Sequence, residues 1–258
     1  MRYALRVQYI GKYFAGSQIQ FEKGKEIDTP TVQGELEKAI STLIFGDTEN
    51  EYRRFKTIFS GRTDKGVNSL GQVVHFDVDE PIVASKFIYH LNEILPKYLS
   101  VSDLKQVDSN FHAQKSAERR HYRYEFINRK YKNAYDGDLL RVKYDINLER
   151  MQKSLNYLLG EHDFSSFKSS GTLNPSTVCF IESAVVKRLD DRVFIDIIGN
   201  RFLYNMVRTI VGTLLKIEGH NLQAEHMKYV LDACDRRTAG ETVSPYGLTL
   251  IEVTYKWR

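Results

Sequence analysis

The segment Ser60-Gly61-Arg62-Thr63-Asp64-Lys65-Gly66-Val67-Asn68 sets an arginine, a threonine and an acid between two glycines. Glycines let a backbone turn tightly and approach a ligand closely. A carboxylate on such a loop can attack a substrate or stabilise developing positive charge. The same spacing also serves a turn aspartate that hydrogen-bonds its own backbone. Other candidates have plain readings when taken alone. Arg62 reads as a surface loop arginine, and Arg208, beside Asn205 and Thr209, as an exposed helix arginine. Tyr122 and Tyr124 alternate like core residues of a strand, and Leu248 like a strand leucine.

Charge is concentrated around Tyr122. Residues 115–132 hold Lys115, Arg119, Arg120, Arg123, Arg129, Lys130 and Lys132 against Glu118 and Glu125, a local net of +5, while the whole 258-residue chain carries only +4. Tyr122, Tyr124 and Tyr131 are interleaved with them. Cations for phosphates and rings for bases suit a folded RNA, although a charge run also serves as a solvated face.

The elements that position these groups follow from periodicity. Strands are expected over residues 2–10, 73–78, 119–128 and 248–257, and a hairpin over 181–198 turning at Asp190-Asp191. A helix capped by Thr31 carries Val32, Leu36, Ala39, Ile40 and Leu43. Another carries Phe87, Ile88, Leu91, Ile94 and Leu95 and stops at Pro96, and a third runs from an Asn147 cap to a stop at Gly160. Helices over 201–217 and 223–234 complete the pattern. Short connections between sequential strands favour an α+β fold with a mixed, largely antiparallel sheet flanked by helices. Two similar halves are expected, 1–110 with the Asp64 loop and 111–258, with one sheet running through both.

Composition excludes several classes. Hydrophobic residues at 42% and charged residues at 27% describe a globular chain. Two cysteines, Cys179 and Cys234, exclude a disulfide scaffold and a cysteine-rich zinc site. No stretch reaches the ~20 apolar residues needed to cross a bilayer. The opening residues MRYALRVQYIGKY lack the apolar run of an export signal. The expectation is a cytoplasmic protein with no cofactor, no metal and no membrane partner.

Six collinear blocks then carry a resemblance. "GRTDKGV" followed by "LGQVVHFD" resembles the active-site motif of the tRNA pseudouridine synthase A family. "YIGKYFAGSQIQ" and "TVQGELEKAI" before it match the family's opening, and "FHAQKSAERRHYRY", "GEHDFSSF", "RFLYNMVRTIVG" and "AGETVSPYGLTLIEVTYKW" follow it in the family's order. The resemblance implies a pseudouridine-synthase fold around a central cleft. It implies a homodimeric isomerase that converts uridine to pseudouridine at positions 38, 39 and 40 of the tRNA anticodon stem-loop. Asp64 takes the place of the catalytic aspartate, Arg208 that of the arginine paired with it, and Tyr122 that of the tyrosine that stacks on the target uracil. Leu248 matches the apolar residue lining the uracil pocket. Arg62 is expected to fill the gap left by a flipped base. Lys65 and Arg120 join it as expected RNA contacts.

Three positions depart from the family's pattern: Ser17 stands where tryptophan is usual, Lys65 where alanine is, and Asn68 where histidine is. Lys65 adds a cation that can touch RNA or lower the pKa of Asp64. Two other readings stay open, a catalytically silent tRNA-binding or chaperone homologue and a synthase acting at other RNA positions.

Overall fold

Strand β1 (Arg2–Tyr9) buries Tyr3, Leu5, Val7 and Tyr9 and turns Arg2, Arg6 and Gln8 to its other face, the alternation of a half-buried strand. The computed structural model describes residues 1–22, 25–26, 29–46, 55–169 and 176–256. After β1, the short strands β2 (Phe21–Glu22) and β3 (Lys25–Glu26) pair with each other. Helix α1 (Val32–Phe45) begins where expected, with the Thr31 hydroxyl accepting the Gly34 amide at 3.1 Å. It buries Val32, Leu36, Ala39 and Ile40, and also Glu37. That carboxylate is satisfied by the Thr57 amide at 2.8 Å, the Thr57 hydroxyl at 2.9 Å and the Gln33 amide group at 2.8 Å.

Strands β4 (Ile58–Phe59) and β5 (Asn68–Asp77), helix α2 (Ala84–Ile94) and strand β6 (Leu99–Val107) follow. Strand β5 starts five residues before the expected 73–78. The added residues include Ser69 and Gln72, both buried, so hydrophobic alternation is silent there. The Ser69 hydroxyl accepts the Gln72 amide at 2.8 Å, and the Gln72 side chain donates to the Gly61 carbonyl at 2.9 Å.

The second half of the chain supplies β7 (Ala117–Asn128), β8 (Leu140–Val142), α3 (Leu148–Asn156), β9 (Gly160–Asp163), β10 (Val178–Leu189), β11 (Arg192–Gly199), α4 (Met206–Gly219), α5 (His226–Asp232) and β12 (Leu248–Tyr255). The expected closing strand 248–257 thus ends at Tyr255, and position 257 lies outside the described residues. The β10–β11 hairpin turns at Asp190-Asp191 as expected, with Asp190 in the left-handed region at φ 54°. Helix α3 takes the expected Asn147 cap but ends at Asn156, short of Gly160, which opens β9 at φ 94°. Helix α4 starts at Met206 rather than 201, because Asn205 at φ 62° breaks the helical path.

The chain divides into two compact units, Met1–Glu118 with Leu250–Arg258, and Arg119–Thr249. In the first, strand order is β6-β1-β5-β12, and β1 runs antiparallel to both β5 and β6. Leu5, Val7, Leu36, Ile40, Val74, Phe76 and Leu91 form the heart of its core. In the second, the order is β7-β11-β10-β9, all antiparallel, and β8 joins β7 in parallel. Tyr124 faces Ile195 and Phe126 faces Val193 across the β7–β11 register, all fully buried. Helix α4 buries Ile210, Val211, Leu214 and Ile217. Near its end Glu218 accepts two bonds from Arg150, at 2.7 and 2.8 Å, and the Asn147 amide at 2.7 Å. Removing Arg150 would strand a buried carboxylate, a loss of about 3–5 kcal/mol. The mixed, largely antiparallel sheet structure flanked by helices is the α+β class expected.

Candidate functional site

Asp64 sits in the first unit, half-buried, on a loop fixed at both ends. On one side, the Thr63 amide donates to the Ser17 hydroxyl at 2.8 Å and the Thr63 carbonyl accepts the Ser17 amide at 3.0 Å. The Thr63 and Tyr9 hydroxyls share a buried hydrogen bond of 2.8 Å. Burial pushes the Tyr9 phenol up, so it stays protonated. Gly16 forms an isolated antiparallel bridge with Asp64 itself.

On the other side, the Asp64 carbonyl accepts the Val67 amide at 3.1 Å, with Gly66 in the left-handed region at φ 85°. The Asn68 side chain accepts the Gly11 amide at 2.9 Å, and the Gly11 carbonyl accepts the Gly66 amide at 3.2 Å. Gly11 lies so close that a Cβ there would run into the Val67 carbonyl. Arg62 and Lys65, flanking the anchored Thr63-Asp64 pair, are exposed. A carboxylate on a backbone held this way needs little reorganisation to act on a substrate.

Tyr122, Arg120, Arg208 and Leu248 lie in the second unit. Arg208, in the first turn of α4, is half-buried rather than the exposed helix arginine its neighbours suggest. Its Nη1 donates to Asn205 Oδ1 at 2.7 Å and its Nε to the Val243 carbonyl at 2.8 Å. The Tyr124 hydroxyl donates to the next carbonyl, Ser244, at 2.9 Å. Burial raises the Tyr124 phenol pKa, while the charge of Arg208 pulls it down. Arg208 and Tyr124 therefore hold adjacent carbonyls of the turn that delivers Leu248, itself buried. A Cβ on Gly247 would strike the Glu125 carbonyl and crowd the Tyr124 ring, so this turn packs directly on β7.

Tyr122 is half-buried, with Phe202 edge-on at 5.1 Å between centroids and 81° between planes. Arg120 reaches the Asn200 carbonyl at 2.6 Å. The second unit thus gathers Arg120 and Tyr122 beside the Asn200–Phe202 connection, and Arg208 and Leu248 around the Val243–Gly247 turn.

Part of the basic strip is paired with acids. Arg119 pairs with Glu182 at 2.6 Å, and Asp196 takes both His121 at 2.6 Å and Arg123 at 2.9 Å. Arg129 pairs with Asp136 and Asp191. These acids come mainly from β10, β11 and their turn, so a count along residues 115–132 overstates the field the strip presents.

Sequence reasoning singled out Ser17 and Asn68 only as departures, yet both anchor the Asp64 loop. Asn205, in the sequence only a neighbour of Arg208, accepts its guanidinium. Tyr124 is the core residue its alternation suggests and also pins the turn before Leu248. The departures themselves were the signal for the first two; no linear signal marks the others.

Residues 155–256 match the family profile for tRNA pseudouridine synthase. The chain is similar over nearly its whole length to tRNA pseudouridine synthase A of Buchnera aphidicola subsp. Schizaphis graminum (strain Sg), 40% identical across 255 residues that cover 98% of this chain and 92% of that one. It is 37% identical to tRNA pseudouridine synthase A of Thermoanaerobacter sp. (strain X514) across 250 residues, 96% of this chain and 97% of that one. The like-named protein of Colwellia psychrerythraea (strain 34H / ATCC BAA-681) is 36% identical across 257 residues, 99% and 94% of the two chains.

Proposed function

The chain belongs to the tRNA pseudouridine synthase A family, and from that premise we propose that it isomerises uridines 38, 39 and 40 of the tRNA anticodon stem-loop with Asp64 as nucleophile. The isomerase activity toward tRNA is the family's; the target positions and the role of Asp64 are the reading advanced here. The reaction breaks the bond between uracil N1 and ribose C1′, turns the freed base and joins C5 to C1′. C5 gives up a proton and N1 gains one, so no oxidant or reductant is required.

The observation that carries the reading is the double anchoring of the Asp64 loop, by Ser17 and Tyr9 at Thr63 and by Asn68 at Gly11. A nucleophile must meet the substrate at a fixed angle and distance, and a backbone tied on both sides supplies that. In this reading Tyr122 stacks on the uracil, Leu248 bounds it, and Arg208 is the fixed cation of the set. Arg62 takes the place of the flipped nucleotide, and Lys65 and Arg120 contact phosphates. The enzyme is a cytoplasmic homodimer with one RNA spanning both subunits. Two free cysteines suit a reducing compartment, and no helix among the described residues is long and apolar enough to cross a membrane.

The test is to incubate purified protein with unmodified tRNA transcripts and map pseudouridine at nucleotide resolution. Modification confined to other positions overturns the target assignment. The Asp64→Asn variant should fold and bind tRNA yet form no pseudouridine, and undiminished turnover would remove Asp64 as nucleophile.

A further inference from the structure

Tyr13 and Tyr98 stack face to face, with ring centroids 3.3 Å apart and planes 9° from parallel. Tyr13 closes the short 3-10 turn Gly11–Tyr13 that follows β1, and Tyr98 lies between Pro96 and the start of β6. The Ile10 amide donates to the Tyr98 carbonyl at 3.0 Å, so the two connections are locked together. Tyr98 packs against the core of its unit, whereas Tyr13 is 40% exposed. The Lys97 ammonium stands 4.7 Å from the Tyr98 ring centroid. Hydrogen bonds from Lys97 and Tyr13, and then the charges of Lys97 and Lys12, hold the Tyr98 hydroxyl below its ordinary pKa.

We propose that Tyr13 and Tyr98, with Lys12 and Lys97, form a platform for one unpaired nucleotide of the RNA substrate. Its base stacks on the Tyr13 ring and its flanking phosphates lie against the two ammonium groups. The proposal rests on the reading that the substrate is tRNA, and it names a contact surface apart from the reacting uridine.

RNA is the ligand whose chemistry fits this patch. Unpaired bases stack on exposed aromatic rings irrespective of sequence, and the adjoining backbone repeats a negative charge. An acidic peptide would use the lysines and leave the ring idle. The stack exists before any ligand arrives, because Tyr98 rests on the core and the Ile10–Tyr98 bond fixes the spacing. Little side-chain freedom is therefore lost on binding. The platform also shares its scaffold with the Asp64 loop: Gly11, first residue of the Tyr13 turn, bonds both Gly66 and Asn68. A nucleotide held at Tyr13 would fix the RNA relative to that loop without touching it.

The experiment measures Kd for a tRNA transcript by filter binding across a salt series, with kcat and KM for pseudouridine formation, in full-length variants whose thermal unfolding matches the parent. Tyr13→Ala should raise Kd and KM about tenfold and leave kcat in place. Tyr13→Phe, which keeps the ring, should recover most of that loss. Lys97→Gln should reduce the slope of log Kd against log salt by about 0.7–0.9. Unchanged Kd and KM in Tyr13→Ala overturn the platform. So does a fall in kcat at constant KM, since the ring would then be a prop for the Asp64 loop. A shift in oligomeric state by light scattering at constant Kd also overturns it, the occupant then being a second copy of the chain. Because Kd is read without turnover, a protein that modifies other uridines would sink the target assignment and leave this test intact.

Discussion

Asn205 Oδ1 accepts the Nη1 of Arg208 at 2.7 Å while the Asn205 backbone stands in the left-handed region at φ 62°. Its amide nitrogen is also occupied, donating to the Ser169 hydroxyl at 3.0 Å. One residue therefore stops the helix from extending backward and fixes the guanidinium of its first turn. Asparagine suits both tasks, since it tolerates this backbone better than most residues and carries an acceptor.

Replacing Asn205 separates the two tasks. Asn205→Gly keeps the backbone unstrained and removes the acceptor, so folding stability should stay within about 1 kcal/mol of the parent. Its kcat should fall about tenfold with KM for tRNA unchanged, if Arg208 acts in the reaction. Asn205→Asp restores an acceptor and should recover part of the rate. A glycine variant with parental kcat would show that the orientation of Arg208 is set elsewhere.

Ser17 and Asn68 each satisfy a backbone amide of the loop or of its anchor. Ser17→Ala leaves the buried Thr63 amide without its side-chain acceptor, and Asn68→Ala does the same to Gly11. Each should lose about 1–3 kcal/mol in urea unfolding and lower kcat more than it raises KM. Asn68→Asp keeps an acceptor and should retain more of both. Parental stability and rate in Ser17→Ala would mean that the Thr63 end of the loop is held by Tyr9 and the Ser17 backbone amide without the hydroxyl.

His75 should make the protein sensitive to mild acid. It is 2% exposed, its Nδ1 accepts the Ala113 amide at 3.1 Å, and burial, then the charges of Arg2 and His112, lower its pKa to about 4. Above pH 6.5, neither folded nor unfolded chain binds the proton. As pH falls from about 6.5 toward 4, the unfolded chain takes up a proton that the native state refuses. This single group then removes up to about 3 kcal/mol of stability. His75→Asn offers an acceptor that does not titrate, so its unfolding free energy should fall less between pH 7 and pH 4.5. Parallel pH profiles for the two proteins would refute the assignment.

Where burial and periodicity coincide, the fold can be read directly. Val32, Leu36, Ala39 and Ile40 behind a Thr31 cap, and Tyr122 to Phe126 alternating along β7, are cases of apolar spacing dictating the element. Legibility fails where polar groups are buried by pairing. Ser69 and Gln72 continue β5 because their hydrogen bonds are met, which no hydrophobic count reveals. Within the strip at 115–132, the pairing of Arg119 with Glu182 and of Arg123 with Asp196 is invisible along the chain, because strand register alone brings those acids across. Asp64, Tyr122 and Arg208 are marked by motif and Ser17 by its departure from one, whereas nothing along the chain marks Phe202, Asn205 and Val243 as supports. Support depends on who is adjacent in space, and that is set by the sheet.

The side-chain ties that anchor the Asp64 loop at Thr63 and Asn68 span long stretches of chain: 54 positions from Tyr9 to Thr63, 46 from Ser17 to Thr63, 57 from Gly11 to Asn68. Such ties close only after β1 and β5 have zipped, because the entropy of closing so long a loop must be offset by the surrounding sheet. The loop consequently has no melting transition of its own. On heating or in denaturant, loss of turnover should track the collapse of the first unit's sheet, making enzymatic activity a cooperative reporter of that unit's folded population.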